Sequence, residues 1–588
     1  MRLPRIKWLP SLLLPLLVLL SAYAEAKNII HWPLNLPKSL SATLGEIRGY
    51  SLHQGIDIKT RGRVGYPVFA ALSGKLYRIV SKEYGYGNAL FIDHGNGLKS
   101  VYGHLDSFEE GKHHLDSLAK TLSVLYNRDF LDFRLYKSHL PYNSEEMIAY
   151  AGESGSGPPH LHFEIRKDDR LLNPLALIHI KDKEPPIIEN LFVCIEKNDT
   201  TIKEERFRIK KRWGKYLPQN GEIEVSSNDR IFFKLSCYDR VGARNRVAIY
   251  KIKLFSDKAR IFETAFNAIQ ISDYKNGHLI YDISKSAIGD GGVSYTYSLC
   301  QRDKRNSSFI NGDGSGYIEP KNGERDIRIE VLDFAGNAAI MKFKLLQKRI
   351  GEKIASDFYV IDEKRICHIR NMTGEMEVIM PSGSIKGKRL LKVEISEKRG
   401  LLNKIKKISA VNREDILKIF SIYPFDIVYK RPITIQIQKP KGISDREVQN
   451  ILIYRFFESR RPKPLDTVYN SERGVFKTLS LTNGYFILIR DRIPPRMVMP
   501  PTHEFCEDRS IYSRIRLYAS DNLSRIDRDS ITCLIDGESF PSKYDTARKW
   551  IEMNLPREAI SIGLHHIFVE VSDRAGNQCV FRELFMRN

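Results

Sequence analysis

At 588 residues, with 42% hydrophobic and 28% charged side chains, the chain is too long for a single apolar core and too apolar to stay disordered; length alone points to about three to five domains. Lys and Arg outnumber Asp and Glu by 93 to 71, and the formal net charge of +22 favours anionic partners such as nucleic acid, acidic lipid or cell-wall polymer without choosing among them. Tyr and Phe at 28 each, with Val, Ile and Thr common and Ala-rich amphipathic runs scarce, predict a mainly β protein.

The opening "MRLPRIKWLPSLLLPLLVLLSAYAEAKN" has a basic start (Arg2, Arg5, Lys7), an apolar run from Trp8 to about Leu20, and small residues in an A-x-A pattern at Ala22 to Ala24 or Ala24 to Ala26. This predicts a signal peptide over residues 1–26 and export to the periplasm or cell envelope. The apolar run falls short of the ~20 residues that a span needs, and it contains prolines. No later stretch could cross a bilayer, and no cysteine follows the run to carry a lipid anchor. Export moves nucleic acid well down the list of partners.

Residues 27–181 form the first predicted domain. "DHGNG" (Asp93 to Gly97) lies between the strand-like "NALFI" and "LKSVYGHL", a hairpin signal. Leu115, Leu118, Leu122 and Leu125 then fall at helical spacing, which predicts a partly helical insertion over about 108–143. Both ends of the insertion are tied to the histidine-bearing strands, so it is expected to rim a groove beside them. His113 and His114 in this insertion read as surface residues and His94 as part of a hairpin turn.

Strand character returns at "MIAYAGESG" and continues into "SGPPHLHFEIR". Alternation there puts His160, His162 and Glu164 on one face and Leu161, Phe163 and Ile165 on the other. None of the seven cysteines falls between Lys27 and Asp182, so a metal in this domain must be held by nitrogen and oxygen. A catalytic zinc wants about three protein ligands and one open position. "SLHQGIDIK" offers His53 and Asp57, which must converge by a bend because Gly55 and the β-prone Ile56 and Ile58 argue against a helix. "SVYGHL" adds His104, and Glu164 suits a supporting hydrogen bond better than ligation.

"HQGID", "VYGHL" and "PPHLHFEIR", in that order, resemble the motifs of the lysostaphin-type (LytM-type) zinc peptidoglycan endopeptidases. "GYPVFAALSGKLYRI" and "YGYGNALFIDHGNG" are similar to that family's intervening strands, and the resemblance covers about Trp32 to Ile178. It implies an antiparallel β catalytic domain holding one zinc ion on His53, Asp57 and His162, with His104 and His160 as the unligated catalytic histidines. It also implies peptidoglycan stem peptides and cross-bridges as substrate. Two neutral imidazoles and one carboxylate leave such a site at about +1, enough to acidify a bound water while admitting a substrate carbonyl. His160 would then take or hold the water's proton and His104 would steady the oxyanion, although the residues leave that division of labour open.

After Lys181, "DKEPP" (Asp182 to Pro186) and "DRIPP" (Asp491 to Pro495) open segments, and "DFAGN" (Asp333 to Asn337) and "DRAGN" (Asp573 to Asn577) sit near segment ends; "DRVGARN" at Asp239 is a looser relative. These segments resemble bacterial immunoglobulin-like β-sandwiches, in which such Asp and Gly residues make tight turns. The expected domains are 182–348 and 491–588 as sandwiches, with a second β-rich domain at 349–490. The basic runs "KGKRLLK" and "KIKK" in the latter read as solvated strand faces. Two other functions compete with the peptidase: a non-catalytic LytM-type regulator of another wall hydrolase, whose usual mark is loss of metal ligands, and an envelope adhesin carried by the sandwiches.

Overall fold

The computed structural model describes residues 30–499 and 512–587, apart from 83, 126–130, 136–139, 156, 213, 220, 287–292, 303–306, 312–313, 349–357, 397–398, 410, 458–460, 547 and 557–559. The expected signal peptide lies outside the described residues. The protein is mainly β, with two α-helices among the described residues, α1 (Leu115–Leu125) and α2 (Arg399–Ser409). No described helix is long and apolar enough to cross a membrane. The chain divides into two compact units: Met1–Val193, Glu205–Tyr281 and Val293–Ile350 make the first, and Cys194–Glu204, Asp282–Gly292 and Gly351–Asn588 the second.

In the first unit the strands of the histidine-bearing region are β1 (Leu40–Ala42), β2 (Ile47–Arg48), β3 (Ser51–Leu52), β4 (Ile56–Lys59), β5 (Tyr66–Phe69), β6 (Gly74–Ser81), β7 (Asn88–Gly95) and β8 (Leu98–Phe108). Beyond α1 come β9 (Leu131–Arg134), β10 (Pro141–Tyr142), β11 (Met147–Ala151), β12 (His160–Lys167) and β13 (Arg170–Leu172). They pair in the order β1-β4-β12-β8-β7-β6-β10, with β11 joining β5 to β8 and β9 on β6. All the paired contacts are antiparallel.

The predicted alternation places β12 at the centre of this sheet. Leu161, Phe163 and Ile165 are fully buried and share a core with Ile56, Ile58, Leu90, Ile92 and Tyr102. Each such side chain contributes about 1.5–3 kcal/mol by leaving water. That anchors the strand, and the period of two then points His160, His162 and Glu164 to the opposite face. The hairpin predicted at "DHGNG" is the β7–β8 connection.

The insertion differs from expectation. Helix α1 forms where the leucines predict it, burying Leu115 and packing Leu118 and Leu122 on the core. Its companion strands β9 and β10 both pair with β6, however, two strands beyond β8 and three from β12. The described part of the insertion therefore thickens the far edge of the sheet and does not line the histidine face. The cause is ordinary edge chemistry: β6 has free backbone groups to pair, whereas β12 has both edges filled by β4 and β8.

Residues of 240–300 pin the stretch between β1 and β4. Thr43 Oγ1 donates to Ala248 O at 3.2 Å, Tyr281 Oη to Gly45 O at 2.9 Å, and Leu40 N to Val241 O at 3.1 Å. The strand Ala268–Gln270 continues the sheet by pairing with β13. Gly45 is required at this seam, because its φ is +83° and a Cβ there would lie 2.3 Å from the ring of Phe266.

The remaining strands of 187–348 form one eleven-stranded sheet. In the second unit, strands of 359–490 form a six-stranded and a five-stranded sheet sharing one core around Val378, Phe420, Ile435 and Phe486. Strands of 496–587 form two four-stranded sheets around Leu517, Ile551, Ile567 and Val569. "KIKK" lies on helix α2, not on a strand: Leu401 and Ile405 are buried and the lysines occupy the remaining face.

Gly45→Ala is expected to cost about 2–4 kcal/mol, combining a disfavoured backbone with overpacking against Phe266. Calorimetry would record this as a fall of several degrees in the melting of the first unit. An unchanged transition would mean that the seam yields freely around a methyl group.

Candidate metal and catalytic centre

Backbone register assembles the centre. In the β4–β12 ladder Asp57 is opposite His162 and Lys59 is opposite His160, so Asp57 and His162 share a face. The approach is close: a Cβ on Gly55 would sit 2.3 Å from the carbonyl oxygen of Phe163, so only glycine lets the HQGID bend meet β12. The bend returns His53 over Asp57. His53 Nε2, Asp57 Oδ1 and His162 Nδ1 then lie 3.0 Å from one another on all three sides. All three residues are buried.

The outer nitrogens fix the tautomers. His53 Nδ1 faces Thr43 O at 2.9 Å, and His162 Nε2 faces Glu164 Oε1 at 2.8 Å. Those oxygens only accept, so the outer nitrogens carry protons. Burial would lower His162, but its bonds to Asp57 and Glu164 outweigh burial and raise it to about 9, so its Nδ1 carries a proton too, given to Asp57 Oδ1 at 3.0 Å, which a bound metal would displace. Glu164 is fully buried, takes further hydrogen bonds from Tyr86 Oη (2.7 Å) and Arg166 Nε (2.7 Å), and does not join the triangle. Burial would raise its carboxyl, but His162 and Arg166 outweigh burial and bring it to about 2. Likewise burial opposes the ionised form of Asp57, yet His53, His160 and the bonds from His162 and His53 hold it well below the usual carboxylate range.

The three inward atoms converge on one buried point, where a metal ion would take the place of the His162 Nδ1 proton. Zinc bonds of about 2.0–2.1 Å at tetrahedral angles hold donor atoms roughly 3.3 Å apart. The observed triangle is within a few tenths of that, and two imidazoles with one carboxylate are a donor set suited to zinc. The residues fit the ion.

His104 and His160 stand beside the triangle, with ring centroids 4.6 Å apart. His104 occupies a bulge in β8 with φ of +59°, where the pairing with β7 skips a residue. Its Nδ1 donates to Ser154 O at 2.7 Å, and His160 Nδ1 donates to Pro158 O at 2.7 Å. Each ring thus has Nε2 as the nitrogen not engaged by these carbonyls; that of His160 is 3.7 Å from Asp57 Oδ1. Burial, with His160 and His162 nearby, pushes His104 down to about 3, so its ring is neutral. His94 bonds Ser73 O and Ser100 Oγ, and His113 bonds Pro141 O; both are remote from the centre.

Sequence reasoning missed several residues. Arg48 bonds Asp57 Oδ2 at 3.0 Å and Glu46 Oε2 at 2.9 Å, and Tyr295 Oη donates to Glu46 Oε1. Thus the second oxygen of Asp57 is held by a chain that runs out of the β1–β13 region. Tyr86 bridges Glu164 and Arg166 over the His162 ring. Nothing in their local patterns sets these residues apart from ordinary turn and strand residues.

With this geometry in view, comparison with known proteins is informative. Residues 51–114 match the model of Peptidase family M23, so this part of the chain is an M23 peptidase domain. The DD-carboxypeptidase/endopeptidase Mpg of Neisseria meningitidis is 28% identical over 129 residues, 22% of this chain and 23% of that protein, so the match spans about a quarter of that relative. Lipoprotein NlpD of Yersinia enterocolitica is 26% identical over 117 residues, 20% of this chain and 94% of the relative. A solved structure of a zinc-containing peptidase from Vibrio cholerae is similar at 24% identity, covering 26% of this chain and 40% of that one with a TM-score of 0.18.

Glu164→Gln is expected to weaken divalent-metal affinity by about 10–100-fold, because the amide no longer fixes the His162 tautomer as a carboxylate does. Competition against a chromogenic chelator would measure it. Equal affinity in variant and parent would reduce Glu164 to a brace for Tyr86 and Arg166.

Proposed function

We propose that the chain is an exported zinc endopeptidase that hydrolyses peptide cross-links of bacterial peptidoglycan. The observation that carries this reading is the buried triangle of His53 Nε2, Asp57 Oδ1 and His162 Nδ1, with two further histidines beside it, each held at Nδ1 by a backbone carbonyl. The M23 match and the endopeptidase named among the relatives supply the substrate class. The leader-like opening supports export, and the net charge of +22 suits an anionic wall polymer.

A zinc ion on the three residues would polarise the scissile carbonyl and lower the pKa of a coordinated water toward ~7. The protein's own groups then move the proton. Nε2 of His104, whose ring is neutral, or of His160 accepts the proton that the attacking water gives up. Once protonated, that ring becomes a donor and delivers the proton to the departing amine nitrogen, so water is consumed and a carboxylate and an amine are produced. The backbone acceptors Ser154 O and Pro158 O keep both rings oriented through this cycle. Arg48 holds the outer oxygen of Asp57 and leaves the inner oxygen to the metal.

The decisive experiment is digestion of purified peptidoglycan by the mature chain, with mass analysis of the released fragments and zinc measured on the same sample. Cross-linked dimers should convert to monomers in the presence of about one zinc per chain. His53→Ala, Asp57→Ala and His162→Ala should each lower zinc occupancy, and retention of full zinc by all three defeats the ligand assignment. His160→Ala and His104→Ala should keep zinc and lose roughly 10²-fold or more in turnover. A zinc-loaded parent that cleaves nothing in any peptidoglycan preparation would favour the non-catalytic regulator reading.

A further inference from the structure

Outside the peptidase centre the chain builds one arrangement twice, once in each compact unit. Asp182, Asp239 and Asp333 bring carboxylate oxygens within 4.8 Å of one another, and so do Asp491, Asp521 and Asp573. The first and third aspartates of the two clusters share a pattern of bonds. Asp182 Oδ1 accepts from Glu184 N at 3.0 Å, and Asp491 Oδ1 from Ile493 N at 3.1 Å. Asp333 accepts from Asn337 N (2.8 Å) and Nδ2 (2.7 Å), and Asp573 from Asn577 N (2.9 Å) and Nδ2 (2.8 Å). Each asparagine amide also reaches the backbone carbonyl of the first aspartate, at 3.3 Å on Asp182 and 3.1 Å on Asp491.

Turn formation accounts for those bonds, and for the two that Asp521 Oδ2 accepts from Leu523 N and Arg525 N at 2.8 Å, but not for the Oδ1 atoms of the middle aspartates. Asp239 is only 4% exposed and its Oδ1 has no hydrogen-bond partner; Oδ1 of Asp521 is also buried without one. Among the described residues no Lys, Arg or His forms an ion pair with any of the six carboxylates. A buried acceptor that faces two other carboxylates and no donor is a costly arrangement unless a cation completes it.

We propose that each cluster is a calcium site that clamps a domain joint. The donors are all oxygen, which selects hard cations over zinc. Three carboxylates converging at a partly buried turn suit the 6–8 oxygen ligands of calcium, whereas magnesium keeps most of its water and uses one or two carboxylates. Beside the first cluster a cavity of about 50 Å³ is lined by Thr43, Asn173, Ile178, Asp182, Asp239 and Phe334. That is room for a few waters to complete the coordination. Burial and the neighbouring carboxylates push Asp239 up to about 8 and Asp573 up to about 6, as expected of acids crowded together with no counter-charge.

Position gives the clamp its purpose. Asp182 follows directly on the peptidase region, while Asp239 and Asp333 lie in the strands that come after it; an ion on all three ties the connecting segment to two loops. Asp491 occupies the same place between the strands of 359–490 and those of 496–587. There Asn450 Nδ2 already donates to Ala575 O at 2.9 Å and Asn577 Oδ1 at 3.1 Å, joining the earlier strands to the motif.

The test is calcium titration of the full-length chain after treatment with EGTA and restoration of zinc, with calcium counted by equilibrium dialysis. Two calcium ions per chain are expected, with affinities in the roughly 10⁻⁴–10⁻³ M class of extracellular sites. Asp239→Asn and Asp521→Asn should each remove one ion, and the double variant both. In the unmodified chain calcium should raise the melting temperature and slow protease cleavage at 182–186 and 491–495, while equimolar magnesium should not. No binding up to several millimolar, or two ions retained in the double variant, overturns the proposal. Loss of one ion in only one single variant overturns it for the other joint. Because the counting is independent of hydrolysis, it stands or falls apart from the peptidase reading.

Discussion

Three donor atoms held 3.0 Å apart inside a sheet are the constraint around which the peptidase region is organised. Such a triangle cannot be left to side-chain preference, because unrestrained His53, Asp57 and His162 would rotate among several rotamers and lose that spacing. The protein prevents this through backbone. Asp57 and His162 are opposite partners in one ladder, and β12, with β4 on one side and β8 on the other, cannot slip without turning its apolar face out of the core. Each imidazole is then locked from behind, by Thr43 O on one ring and Glu164 on the other. The cost of gathering the donors is thus met in the folding of the sheet, and the site is ready for an ion when the chain is folded.

The same constraint reaches beyond the sheet. Asp57 has a second oxygen, and Arg48 takes it; Arg48 in turn needs Glu46, and Glu46 is completed by Tyr295 and by the Ala248 amide at 3.3 Å. Arg48 lies on the β2–β3 hairpin, and the stretch around it is held by Tyr281 and by the fit of Phe266 against Gly45. The strands after residue 181 are therefore part of what holds the metal-facing carboxylate, and a shortened chain ending at 181 would leave Glu46 buried with fewer partners. Burial already pushes Glu46 up to about 7 despite Arg48, which shows how closely that buried charge is balanced.

Much of this was legible in the sequence, for a physical reason in each case. Period-two alternation in "HLHFEIR" reports a half-buried strand directly, Asn-Gly between apolar runs reports a hairpin, and leucines at helical spacing report α1. The histidines and Asp57 are found because their chemistry and order are unusual. What stayed hidden depends on contacts distant in sequence. Arg48 and Tyr295 are 247 positions apart in the numbering, and neither is remarkable among many arginines and tyrosines. The side of the sheet taken by the insertion depends on which strand edge is free, and "KIKK" looked like strand because its two buried apolar residues, Leu401 and Ile405, are too few to announce a helix. The aspartates of "DKEPP", "DFAGN" and their counterparts read as turn formers, and they are; their convergence is a property of loops that meet only in three dimensions.

Seen together, the peptidase centre and the two aspartate clusters pose one electrostatic problem at two scales. Each gathers acidic or imidazole groups closer than they would settle on their own, and each suits a positive charge from outside the chain. The spacing and the donor type decide which charge. Nitrogen lone pairs and one carboxylate at 3.0 Å define a small, directional hole that suits a four-coordinate borderline ion. Carboxylates spread over as much as 4.8 Å, the first set beside a cavity, define a larger, less directional one that suits a hard ion with many oxygens. On the readings proposed, the two kinds of site would take two kinds of cation, the one serving chemistry at the sheet and the other stiffness at the joints, with selectivity resting on donor chemistry and not on affinity alone.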